Sequence, residues 1–218
     1  MKNLTTSLLV LFLHTTLFAC NEQNNKEESE NEPKTSEFQE LNQYATAYFA
    51  SGCFWCVEAV FESVKGVKEA VSGYSGGKEK NPTYKAVSRG QTSHAEAVKV
   101  YYDPLVVDFE TLVKVFFASQ DPTTPNQQGP DRGTQYRSIA FYQNDKEKQV
   151  IEKIIKQLTN DKVYTKPIVT EVAAFEKFWE AEEYHQNYER RNPDNPYVRN
   201  VSIPRLNRFK AKMPDVLK

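Results

Sequence analysis

The sequence predicts an α+β fold: a two-layer sandwich around a ferredoxin-like β-α-β-β-α-β core, with added C-terminal helices and an extended tail. Two observations carry this. From about Ala45 onward, short β-capable runs alternate with apolar stripes of helical period in that order, with turn residues between them. In addition, 218 residues at 39% apolar and 26% charged suffice for one sizeable core but not for two large domains.

Ala45 to Ala50 reads as the first strand, broken by Gly52. Val57, Val60, Phe61 and Val64 then repeat at i, i+3, i+4 and i+7, one face of a helix that stops at Gly66. Val67 to Tyr74 reads as a second strand ending in Ser75-Gly76-Gly77, and Ala95 to Tyr102 as a third ending at Asp103-Pro104. Asp108 is placed to cap a helix carrying Leu112, Val113, Phe116 and Phe117, which ends before Asp121-Pro122. Gln135 to Tyr142 is the fourth strand and completes the split unit. Asn144 with Glu147 three residues on predicts a capped helix whose Val150, Ile151, Ile154, Ile155 and Leu158 share a face. Ile168 to Ala174 is expected to add an edge strand, and Glu176 to Arg190 a last helix. From Asn192 onward the chain holds four Pro and a basic excess, which reads as an extended strap over the domain.

A net charge of −1, from 28 basic and 29 acidic residues, supplies no field to hold nucleic acid. Eight Gly exclude collagen-like and Gly-rich repeat architectures. Three Cys make no disulfide framework, and a pair remains only if one has a separate fate. That fate is suggested near the start. Lys2 precedes the apolar run Leu8 to Leu13 and then Leu17-Phe18-Ala19-Cys20, shorter than the about 20 residues a membrane span needs. It reads as a signal peptide over 1–19 with a lipobox-like end, so that Cys20 is lipidated; an ordinary cleaved signal with a coincidental Cys is the alternative. Asn21 to Asn42 carries seven Glu and two Lys with almost nothing apolar, and residues 20–43 read as a disordered acidic tether. The expected organisation is thus a tether, a folded domain over 44–191 and the basic tail over 192–218, attached to a bacterial membrane in the cell envelope.

The informative stretch is Gly52-Cys53-Phe54-Trp55-Cys56. Cys53 falls at a strand-to-helix turn, where free N–H groups and the helix dipole are expected to pull its thiol below about 8.5 and make it a nucleophile. Cys56 lies one turn on, at a separation compatible with a disulfide. Two buried small residues, or half of a zinc site, are the other readings; His94 and His185 show no ligand spacing for zinc. Glu96 shares a strand face with Val98, Val100 and Tyr102, so it is expected to be buried, protonated near neutrality and able to donate a proton, unless the strand end frays. Gly129 to Tyr136 is a polar loop entering a strand.

Six ordered motifs, running from about Tyr48 to about Asn192, resemble peptide methionine sulfoxide reductase of class A. They are Gly52-Cys53-Phe54-Trp55, Asn81-Pro82-Thr83-Tyr84, His94-Ala95-Glu96-Ala97-Val98, Tyr102-Asp103-Pro104, Gly133-Thr134-Gln135-Tyr136-Arg137-Ser138 and Ala181-Glu182-Glu183-Tyr184-His185-Gln186. The resemblance implies a compact α+β sandwich without a resident cofactor or metal. It implies Cys53 as nucleophile, Glu96 as proton donor, and Phe54 and Trp55 as a cage for the substrate methyl group. Tyr84, Asp131 and Tyr136 would be polar partners of the sulfoxide oxygen or a bound water. The implied substrates are oxidised proteins or free methionine sulfoxide, in the S configuration, and the implied reductant is a thioredoxin-like dithiol. Many relatives have Gly in place of Cys56 and keep resolving Cys residues in the C-terminal tail. The tail here has none, which leaves Cys56 to resolve the sulfenic acid. A monomer is expected.

A membrane-anchored thioredoxin-like thiol–disulfide oxidoreductase shares the strand, Cys-x-x-Cys, helix unit but leaves Glu96 unexplained. A lipid-anchored binding module using Phe54 and Trp55 as a patch is the non-enzymatic alternative. Expressed in a bacterial host, the full chain should partition with membranes on fractionation, and Cys20→Ser should be poorly processed or soluble.

Overall fold

The computed structural model describes residues 41–218; the expected signal peptide, Cys20 and the tether up to residue 40 lie outside the described residues. Within it a six-stranded sheet has the order β7-β6-β1-β3-β2-β8. Its four central strands are β1 (Ala45–Ser51), β2 (Val67–Ser75), β3 (Ala95–Tyr102) and β6 (Ser138–Tyr142). β3 runs antiparallel to both β1 and β2, and β6 antiparallel to β1, which is the predicted split unit. β7 (Glu171–Ala174) adds in parallel to β6, and β8 (Trp179–Glu180) pairs antiparallel with β2. β4 (Gln127–Gln128) and β5 (Asp131–Arg132) form a small separate hairpin.

Alternation along the strands divides the core. Ala47 and Phe49 of β1 and Val98 and Val100 of β3 face a layer of helices: α1 (Phe54–Glu62), α3 (Phe109–Ala118) and α4 (Asp145–Asn160). Phe49 stacks against Phe61 and Phe116 at ring separations of 5.0 and 5.1 Å. Tyr48, Ala50, Ala95 and Ala97 point the other way and are covered by Phe175 and Phe178, with Tyr48 stacked on Phe175 at 3.7 Å. The helix caps follow the sequence. Asp108 Oδ1 accepts from Thr111 N at 2.7 Å and Asn144 Oδ1 from Glu147 N at 3.0 Å, while Glu147 Oε2 reaches back to Gln143 N at 2.7 Å. Among the described residues no helix is long and apolar enough to cross a membrane.

Four local expectations are corrected. The fourth strand begins at Ser138 rather than Gln135, because Thr134–Tyr136 forms a 3₁₀ turn after Gly133. The edge strand expected from Ile168 begins at Glu171, since pairing with β6 begins at Ile139↔Glu171. The expected helix over Glu176 to Arg190 is absent. The segment instead pairs as β8, makes a 3₁₀ turn at Glu183–His185, and enters the one-turn helix α5 (Tyr188–Arg191) through left-handed Asn187. Tertiary bonds win there: Ala181 N donates to Ser72 O at 3.0 Å, and the Gln186 amide bridges Ser72 N and Ser72 O. Finally, the tail over 192–218 is not an extended strap. After a π-helical turn at Val198–Ser202 it forms α6 (Ile203–Lys212), with Phe209 buried and Pro204 in the first turn, where a missing N–H costs nothing. One further helix, α2 (Tyr84–Ser88), is short and capped by Thr83.

Glu58, on the buried side of α1, joins three parts of this frame. It is 2% exposed, and its carboxyl accepts from Ser72 Oγ and Asn187 N. Burial pushes it up to about 8 despite those two donors. Because the folded value lies above the unfolded one, its contribution to stability is complete below about 4.5 and is lost as pH rises through about 8. The urea midpoint should therefore fall between about pH 4.5 and 8 and level off above that. Glu58→Gln should flatten part of that decline, whereas Glu58→Leu should cost about 2 kcal/mol or more by stranding two buried donors.

Candidate active site

The end of β1 delivers the chain to the site through Gly52. Its φ of +82° lies in the left-handed region, and a Cβ there would sit 2.6 Å from Gln128 Cβ, so only glycine fits. The turn makes Cys53 the N-cap of α1 and leaves it 6% exposed. The N–H of Phe54, one of the unpaired donors at a helix start, is taken by Glu96 Oε2 at 3.1 Å. Glu96 is 1% exposed, and its second oxygen, Oε1, is buried without a partner. Burial pushes this carboxyl up to about 8 against the Phe54 N–H, and Asp131 and Cys56 add to the rise. At neutral pH it holds a proton, as the strand pattern predicts.

Cys53 itself runs against expectation. Burial, the hydrogen bond with Cys56, and the nearby Cys56, Glu96 and Asp131 charges hold its thiol well above the usual range, not below it. The helix-start N–H that would have served a thiolate is engaged by Glu96. The lowered thiol is Cys56, brought to about 6 by the hydrogen bond with Cys53, against burial, and by Arg205, Ser202 and Tyr197. Its Sγ lies 3.0 Å from Ser202 Oγ and 3.9 Å from Tyr197 OH. Both cysteines are free thiols within hydrogen-bonding reach of each other. Among the described residues, no group of three or more His, Cys, Asp or Glu could hold a metal ion.

The other predicted residues converge here. The phenols of Tyr84 and Tyr136 are both raised by burial and next by the Glu96 charge, and each also feels Cys53. Asp131, carried by the β4–β5 hairpin, accepts from Tyr197 OH at 2.6 Å. Phe54 is fully buried, with Tyr84 stacked at 6.1 Å and His185 at 5.0 Å. Trp55 keeps a partly exposed face, lies flat on Tyr188 at 3.8 Å, and donates through Nε1 to His185 Nδ1 at 3.1 Å. Burial lowers His185 to about 4, so the ring is neutral and free to accept that bond.

The sequence reading did not single out several residues that build this arrangement. Glu182 accepts from Tyr74 OH at 2.8 Å and from Tyr84 N at 3.0 Å, fixing the start of α2. Glu182 and His185 lie inside the Ala181 to Gln186 motif, which was the available signal. Tyr197, Ser202 and Arg205 come from the tail, where four Pro concealed a helix. Arg205 is 7% exposed and donates to Ser119 O at 2.8 Å, to Ser51 O at 2.9 Å and to Ser51 Oγ at 3.1 Å.

A buried dithiol at a helix start, beside a protonated carboxyl with a free oxygen, defines a thiol-based oxidoreductase acting on a sulfur group. The comparisons narrow the class. The family model for peptide methionine sulfoxide reductase matches residues 45–216. Peptide methionine sulfoxide reductase MsrA 1 of Rhodopirellula baltica is 49% identical over 172 residues, 79% of this chain and 88% of that protein. The corresponding MsrA of Trichodesmium erythraeum is 46% identical over 170 residues, 78% and 96% of the two chains. Methionine sulfoxide reductase A of Corynebacterium diphtheriae has a similar structure, with a TM-score of 0.61 at 34% identity over 68% of this chain and 74% of that one. Reduced Mxr1 from Saccharomyces cerevisiae gives 0.65 at 35% identity over 69% and 87%. The chain belongs to the peptide methionine sulfoxide reductase family, class A.

The contact with Ser202 has a measurable consequence. Titrated by thiolate absorbance in the ultraviolet, the wild type should show a first thiolate near pH 6, and Ser202→Ala should move that step upward.

Proposed function

We propose that this enzyme reduces methionine-S-sulfoxide, free or in proteins, through a Cys53 sulfenic acid and a Cys53–Cys56 disulfide that a thioredoxin-like dithiol reopens. The observation that carries the reading is the unpartnered Oε1 of protonated Glu96 beside the cysteine pair. A sulfoxide sulfur is a poor electrophile until its oxygen is protonated or strongly hydrogen-bonded. Glu96 can supply the proton, and the Tyr84 and Tyr136 phenols, kept protonated by burial, can hold the oxygen. Trp55, backed by Phe54, offers the apolar surface for the methyl group.

Cys53 sulfur attacks the sulfoxide sulfur as Glu96 protonates the oxygen, and the Cys53 proton replaces the one Glu96 gives up, so that Glu96 ends as it began. The substrate S–O bond breaks as the hydroxyl passes to Cys53, methionine leaves as the thioether, and Cys53 is left as the sulfenic acid. Cys56 then displaces that oxygen as water and forms the disulfide. The external dithiol is oxidised as it restores both thiols. Attachment through lipidated Cys20 would put this repair of oxidised methionine at a membrane of the cell envelope.

Purified protein offered the two separated methionine sulfoxide epimers with dithiothreitol should consume the S epimer alone; equal use of both would sink the reading. The chemical step should slow as pH rises through about 8, where Glu96 loses its proton, and Glu96→Gln should reduce it about 10²-fold or more. Cys56→Ser should still release about one methionine per chain but fail to turn over with thioredoxin, as read by comparing single-turnover with steady-state release.

A further inference from the structure

A cavity of about 520 Å³ reaches Cys56 from the side of α6. Its wall includes Gln120, Tyr197, Arg205, Arg208 and Lys212, but neither Cys53 nor any of Phe54, Trp55 and Glu96. A molecule in it therefore meets Cys56 rather than Cys53, with Asp131 shared between this cavity and the site described above. Its volume lies in the roughly 300–1,000 Å³ range of small-molecule sites. Three cations line it, against the carboxyls of Asp121 and Asp131, and the second of these already accepts from Tyr197. Gln120, 6% exposed, contributes a buried side-chain amide nitrogen that has no hydrogen-bond partner. Gln128 adds a second amide nearby, with its nitrogen 3.5 Å from Gln120 Oε1.

We propose that this cavity admits a small carboxylate-bearing thiol that reopens the disulfide at Cys56. Cations suit carboxylates, the side-chain amides suit peptide-like groups, and Cys56 at the inner wall is the sulfur to be attacked. The proposal rests on the Cys53–Cys56 disulfide of the preceding section. The ligand thiolate attacks Cys56 Sγ, the bond to Cys53 breaks, and Cys53 leaves with the electron pair and takes up a proton. A second thiol attacks the mixed disulfide, releasing the oxidised thiol dimer and the Cys56 thiolate. Two small thiols are oxidised for each protein disulfide reduced. Substrate then meets the pair at Cys53 and reductant at Cys56.

The test begins with full-length enzyme oxidised by one round of methionine-S-sulfoxide and a count of free thiols among the mature-domain cysteines. Reopening is then followed with reduced glutathione and with its diethyl ester, the same thiol with its carboxylates masked. Glutathione should act about tenfold faster than the ester on the wild type. Arg208→Glu with Lys212→Glu should bring the glutathione rate down to that of the ester, leaving the ester rate and single-turnover methionine release unchanged; Arg208→Gln should give an intermediate loss. A thiol count that stays at two overturns the disulfide and this proposal together. A disulfide that forms but reopens equally fast with both thiols, or is indifferent to the charge reversals, overturns the cavity proposal alone.

Discussion

The hydrogen bond from Phe54 N–H to Glu96 Oε2, at 3.1 Å, is the contact on which the site depends. It ties the first turn of α1 to β3, two elements distant in sequence, inside a core that excludes water. One oxygen of the carboxyl is thereby fixed to the backbone, and the other is left facing no protein donor. Burial then decides its protonation. A carboxylate held by one backbone donor would ordinarily ionise below neutrality, but desolvation outweighs that donor here and keeps the acid protonated up to about 8. The same bond occupies one helix-start N–H, but the dipole argument fails for Cys53 chiefly because burial, and then Cys56, outweigh it.

Much of the architecture was legible because its signals are local. Asp108 and Asn144 cap their helices as their spacing predicts, and the four central strands follow alternating or continuous apolar runs. The burial of Glu96 was equally readable from the face it shares with Val98 and Val100. Misread segments are those in which distant partners override the local pattern. Gln186 and Ala181 bond to Ser72, which draws residues 179–186 onto the edge of β2 and prevents a helix. Four Pro in the tail suggested extension, yet Pro204 falls in the first helical turn, where it is compatible with α6. Whether a Pro starts or breaks a helix depends on where the preceding residues dock, and no window of sequence holds that information.

That tail matters beyond its packing. Arg205 reaches under the cysteine turn to Ser51 and across to Ser119, so one guanidinium joins the end of β1, the end of α3 and α6. Burying a charge of this kind is unfavourable unless its donors are satisfied, and here they meet backbone and hydroxyl oxygens while the positive charge itself stays uncompensated by a paired carboxylate among those bonds. Cys56 lies close enough to feel it, and its lowered thiol is the electrostatic complement. The C-terminal segment is thus part of the cysteine pair's environment even though it contributes no cysteine.

The division of protons between the two thiols has a consequence for a repair enzyme exposed to oxidants. Oxidation of cysteine follows thiolate character and access. Cys53, the proposed nucleophile, is held protonated, while the lowered thiol is that of Cys56, 2% exposed and in contact with Ser202 and Tyr197. On the proposed mechanism the thiol that meets substrate is therefore the less reactive one until a sulfoxide arrives, and the more reactive one is reached instead from the cavity beside α6. On that mechanism a bound sulfoxide would change this balance, with Glu96 giving its proton to the ligand oxygen and the Cys53 proton replacing it. Reactivity at Cys53 would then be coupled to the presence of an acceptor for the Glu96 proton, which an oxidant without a basic oxygen in that position does not provide.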